Sequence, residues 1–87
     1  MVKLQEQEMK GSYKFNGTPV MTRGFSEKFG VFTPLVITET MQQIYRLVNA
    51  DIADYFQVAI ANLDGQRVKF YIIDDIDHYT FLLPEEY

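Results

Sequence analysis

His78 is the only histidine in this 87-residue chain, and it follows Asp74, Asp75 and Asp77 closely. Carboxylates around an imidazole suit two kinds of chemistry. One is an oxygen-rich metal site; the other is a general base oriented by a neighbouring acid. The spacing is not that of a calcium loop, which places its ligands at alternating positions around a central glycine. The same residues also make an ordinary polar turn after a strand, and this is the commoner arrangement. A small metal-dependent enzyme built around His78 and its aspartates is therefore an alternative expectation rather than the leading one. Other chemistry finds little support. The chain has no cysteine, which removes disulfides, thiolate catalysis and cysteine-ligated zinc. Its glycines, Gly11, Gly17, Gly24, Gly30 and Gly65, are scattered and build no phosphate loop. Neither Ser12 nor Ser26 sits in a nucleophile elbow. The residue pattern thus predicts no catalytic residue, no metal ligand set and no cofactor.

A second group of residues suits binding. Tyr55, Gln57, Arg67, Lys69, Tyr71 and Ile73 lie on two strand-like runs separated by a turn. Tyrosine and arginine are favoured at interaction surfaces, because they bury area while keeping a polar tip satisfied. Ala59 and Ala61, between them, are small enough to let another chain approach closely.

The element that must position this group is a hairpin over Asp54–Asp74. A two-residue turn at Asp64-Gly65 would set Val58 opposite Tyr71 and Ile60 opposite Lys69, mixing apolar with charged positions. A three-residue loop with Gly65 as a left-handed bulge pairs Phe56 with Ile72, Val58 with Phe70, Ile60 with Val68 and Asn62 with Gln66. One face is then uniformly apolar, so burial predicts this second register. In it, Tyr55, Gln57, Ala59, Ala61, Arg67, Lys69, Tyr71 and Ile73 share the outer face.

A helix is predicted before the hairpin. Thr33 is placed to cap it, Pro34 stands at its first position, and Phe32 and Ile37 suit a hydrophobic staple. Ile37, Met41, Ile44 and Val48 follow helical spacing, Glu39, Gln42, Arg46 and Asn49 face away, and the helix should end near Asn49. Upstream, Asn16-Gly17 is a hairpin signal, and a strand is expected around Val20–Phe25, at an edge because of Pro19. Residues 1–11 are polar and aperiodic, which predicts a flexible segment or a short helix. His78–Leu83 reads as a last strand or extended tail, stopped by Pro84. The predicted fold class is α+β within a single domain, residues 1–87. It consists of one helix on one face of a small antiparallel sheet, in the order β(β)-α-β-β with an extended tail.

The net charge is −4, and Asp74, Asp75, Asp77, Glu85 and Glu86 gather at one end of the chain without a compensating base. This balance disfavours nucleic acid as a partner, although rings beside Lys69 and Arg67 on a sheet are the ingredients of a single-strand platform. It also raises an acidic nucleic-acid mimic, which would inhibit by occupying a partner's basic site. No apolar run approaches the roughly 18 residues that span a membrane, and MVKLQEQEMK has no secretory core. A soluble cytoplasmic protein is expected.

Thr22-Arg23-Gly24, followed by a helix and then Asp54-Tyr55-Phe56-Gln57-Val58 before a second strand, resembles the family called domain of unknown function 960. These are small proteins of Gram-positive bacteria and their phages. The similarity spans about Val20 to Leu83, and Tyr71–Tyr79 departs from the charged, histidine-containing pattern of that family's end. The resemblance implies a phage or mobile-element accessory protein without catalytic residues, with Arg23, Tyr55 and Gln57 as the positions of interest. The leading expectation is a non-enzymatic protein-binding module whose partner is another protein or a second copy of itself.

Overall fold

A computed structural model describes all residues from Met1 to Tyr87. Five strands form one sheet in the order β1-β3-β4-β5-β2. They are β1 (Val2–Leu4), β2 (Thr18–Met21), β3 (Phe56–Leu63), β4 (Gln66–Asp74) and β5 (His78–Leu82), with helices α1 (Arg23–Phe29) and α2 (Thr33–Asn49) between β2 and β3. Neighbouring strands run antiparallel except β2 and β5, which are parallel. The fold is α+β, and both helices pack on one side of the sheet.

The long helix follows its predicted bounds closely. Pro34 lies in its first turn, where the missing N–H costs nothing. Thr33 does not cap it: its hydroxyl turns back and donates to Gly30 O at 2.7 Å, while Phe32 stands at the cap position without a side-chain bond. The other end is closed by a Schellman arrangement. Ile52 N donates to Leu47 O and Asp51 N to Val48 O, with Asp51 at φ 59° in the position that usually takes glycine. The buried face of α2 is Thr33, Val36, Thr40, Met41 and Ile44. It is rotated from the predicted face, so that Ile37 and Val48 are only partly buried.

Three elements differ from expectation. Residues 23–29 form a helix, not the end of a strand. Thr22 caps it by accepting from Phe25 N, and Phe25 and Phe29 at i, i+4 enter the core. Residues 2–4 form the edge strand β1. Asn16-Gly17 makes no hairpin, and Gly17 instead lies against the backbone of Ile76 and Asp77, so closely that a Cβ would come within 2.5 Å of Asp77 O.

The hairpin register is the main correction. β3 and β4 pair Phe56 with Ile73, Val58 with Tyr71, Ile60 with Lys69, and Leu63 with Gln66. The connection is therefore the two-residue turn Asp64-Gly65, with both residues at positive φ, 49° and 76°, as a type I′ turn requires. Because side chains alternate, this one-residue shift turns β3 over. Gln57, Ala59 and Ala61 are fully buried beneath the helices, beside Phe70 and Ile72 of β4. Space explains the choice. Phe25, Phe29, Phe70 and Phe81 form a contiguous aromatic cluster with centroid separations of 4.8–5.6 Å. α1 lies toward β5 with its phenylalanines, while α2 approaches β1. Short side chains on β3 leave room for that approach.

The two sheet edges are protected in different ways. Along β1, Val2 N donates to Glu39 Oε1 and Leu4 N to Gln43 Oε1, and Gln43 Nε2 donates back to Val2 O at 2.6 Å. Two α2 side chains one turn apart thus take the place of a further strand. On β2, Thr18 N and Thr22 N point inward to Asp77 O and Phe81 O, so Pro19 and Met21 face outward and Pro19 has no N–H to offer.

The register has a direct test. Ala59→Leu should destabilise the protein by about 1–3 kcal/mol through overpacking, measured by urea unfolding. A three-residue loop would place Ala59 outside and leave stability within about 0.5 kcal/mol of the parent.

Candidate binding face

Side-chain alternation from the observed register assigns the outer face of the sheet. It carries Lys3 from β1, Phe56, Val58 and Ile60 from β3, Arg67, Lys69, Tyr71 and Ile73 from β4, Thr80 and Leu82 from β5, and Val20 from β2. Phe56, Val58, Ile60, Tyr71 and Ile73 are each half-buried and Val20 is exposed. The C-terminal 3-10 turn Pro84–Glu86 reaches this side, and the ring of Tyr87 stands edge-on against Phe56 and Tyr71 at 5.7 and 5.8 Å. Phe56 and Tyr71 themselves pack at 4.9 Å with their planes tilted by 49°. Lys69 Nζ lies 5.9 Å from the Tyr71 ring centroid, within reach of a cation–π attraction.

The predicted site residues separate. Arg67, Lys69, Tyr71 and Ile73 share the outer face. Tyr55 lies at its margin, against Tyr13 and Phe56. Gln57 does not belong to the face: it is fully buried, donating from Nε2 to Gln7 Oε1 and Asp54 O, with its own Oε1 unpartnered. Arg23 stands on α1, on the helix side, in an exposed pair with Glu27. Ala59 and Ala61 receive the protein's own helices. In place of these, Phe56, Val58 and Ile60 join the patch. The signal that identifies them is the Asp-Gly dipeptide, whose left-handed pair closes a hairpin without a bulge.

The acidic cluster around His78 is likewise divided. Asp75 and His78 form an exposed pair, His78 Nε2 to Asp75 Oδ2 at 3.4 Å. Asp74 turns inward, where it is 4 % exposed; its Oδ2 accepts from Phe15 N at 3.0 Å and its Oδ1 from Ile76 N at 2.9 Å. Both of those residues have positive φ, 48° and 74°, which costs non-glycine residues roughly 1–2 kcal/mol. One carboxylate thus holds two strained backbone positions by charge-assisted hydrogen bonds. No three histidine, cysteine or acidic groups come together as a metal set. Nearby, burial, reinforced by a hydrogen bond with Tyr45, pushes the Tyr79 hydroxyl up to about 12.

Glu86 is the other carboxylate with a structural task. Oε1 receives Thr22 Oγ1 at 2.6 Å and Leu83 N at 2.9 Å, and Oε2 receives Gly24 N at 3.1 Å. These bonds, that from Thr22 first, hold its carboxyl below the usual carboxylate range. Gly24 lies close beside this carboxylate: its backbone is ordinary helix, and a Cβ there would come within 2.4 Å of Glu86 Oε2, so that the Glu86 side chain would have to shift.

No protein-family model, no curated protein and no solved structure matches the chain. No helix is long and apolar enough to cross a membrane.

Two measurements check the carboxylates. Asp74→Asn replaces one acceptor by a donor facing a backbone N–H and should cost about 1–3 kcal/mol in urea unfolding. For Glu86, the folded state favours the ionised form. Its stabilisation is complete above the ordinary carboxylate pKa, near 4.3, and is lost as pH falls through the lower folded value. The melting-temperature gap between the parent and Glu86→Gln should therefore narrow steadily as pH falls below about 4.

Proposed function

We propose that this protein is a non-enzymatic binding module that engages a protein partner through the outer face of its sheet. The observation that carries this reading is the composition of that face. Five half-buried apolar side chains, Phe56, Val58, Ile60, Tyr71 and Ile73, cover the adjacent strands β3 and β4, with exposed Val20 on the edge strand, and both helices lie on the other side. Isolated apolar residues on a surface are ordinary, but a contiguous patch of this kind marks an interaction site. The aliphatic majority favours a protein over a single-stranded nucleic acid. Val58, Ile60 and Ile73 offer no ring for a base to stack on, and Phe56, Tyr71 and Tyr87 pack edge-to-face or tilted against each other, not as parallel platforms. An accessory role in a phage or mobile element is part of this proposal, and its only support is the local resemblance at Thr22-Arg23-Gly24 and Asp54–Val58.

Affinity capture from a bacterial lysate with Tyr71→Glu and Val58→Glu variants tests the reading. Each substitution should reduce recovery of bound protein at least tenfold, while Arg23→Glu, on the helix side, leaves it unchanged. Equal recovery by all variants with intact circular dichroism would overturn it.

A further inference from the structure

Resting on that reading, we infer that the partner on the outer face is a second copy of this chain, stacked sheet on sheet about a two-fold axis perpendicular to the strands. The argument is the order of charges along the face. β4 and its continuation present Arg67, Lys69, Tyr71, Ile73 and Asp75 in turn, passing from base through apolar to acid. A second base stands at the same end: Lys3 and Lys69 flank Ile60 in one cross-strand row, whereas the opposite end holds Asp75 beside the exposed His78. Between the two ends, the strands carry no charged side chain on this side.

Such a face is complementary to itself when rotated by half a turn. An axis passing midway between Tyr71 and Ile73 sets Tyr71, with Tyr87 beside it, against Ile73 of the second copy, and Lys69 against its Asp75. Each contact occurs twice, as a two-fold interface requires. A uniformly acidic partner would be repelled at the Asp75 end and a uniformly basic one at the Lys69 end, so neither matches the gradient. Sheets stacked in this way keep their strands within about 30° of antiparallel alignment, separated by roughly 10 Å of interleaved side chains. The area suits a weak dimer. The five strands hold 29 residues in all, which at about 3.3 Å per residue and about 4.8 Å between strands cover about 460 Å², below the roughly 800 Å² per partner of a standard interface.

The test is sedimentation equilibrium over about 10 μM to 1 mM, using the parent, Lys69→Asp, Asp75→Lys and the double exchange. The parent should approach twice its 10.2 kDa mass. Each single reversal should weaken association at least tenfold, and the double exchange should restore it to within about threefold of the parent. These exposed positions leave the fold intact, as a thermal melt verifies. A parent that stays monomeric throughout, or a dimer indifferent to both reversals, would overturn the second-copy inference. The broader reading is judged separately: a monomer that still captures a protein, with capture lost in Tyr71→Glu, keeps the binding face but assigns it another partner, whereas capture unchanged in Tyr71→Glu overturns the face as well.

Discussion

A helix can lie close on a sheet only where the side chains beneath it are short. In this protein the short residues are Ala59 and Ala61, fully buried on β3, and the phase of the Asp64-Gly65 turn places them there. Had β3 shifted by one residue, Phe56, Val58 and Ile60 would have met the helices, and the space already filled by Phe25, Phe29, Phe70 and Phe81 would have been overfilled. The same phase delivers those three larger residues to the opposite side. The interior packing of the protein and the character of its outer surface are therefore two results of one constraint, and neither can be altered without the other.

Around this frame, two carboxylates fasten segments that have little secondary structure of their own. Asp74 binds the loop before β2 to the turn after β4, and the strain at Phe15 and Ile76 shows that the loop would not take this shape unaided. Glu86 binds the C-terminal turn to the start of α1, bridging Thr22, Gly24 and Leu83. Hydrogen bonds to an ionised group are stronger than neutral ones, so a few well-placed acids are effective in a domain too small for a large core. Part of the chain's negative charge is thereby explained by architecture and not by any ligand.

Much of this was legible in the residues themselves. The extent of α2, the α+β class, the alternation of β4 and the edge position imposed by Pro19 all follow from local pattern. The face of β3 did not, because both of its sides are apolar: Phe56, Val58 and Ile60 alternate with Ala59 and Ala61, and hydrophobicity alone favoured the bulkier set. Residue size and the geometry of Asp-Gly decided the matter instead. α1 was obscured by Gly24, a poor helix former, and is tied down by a bond from Gly24 N to Glu86, 62 residues later. β1 was invisible for a similar reason. Val2 and Leu4 are held by Glu39 and Gln43 on one side and by β3 on the other, contacts that no window of neighbouring residues contains. On the outer face, the β4 contributions were correctly read and those of β3 were inverted with the register.

The treatment of the two sheet edges limits what kind of assembly this protein can enter. Strand-by-strand growth, the route to fibrils, needs a free row of backbone donors and acceptors on at least one flank. One flank here is already hydrogen-bonded to Glu39 and Gln43, and the other is interrupted by Pro19. Lateral propagation is opposed on both sides, so any association of this sheet with another has to use its broad surface and not its rim.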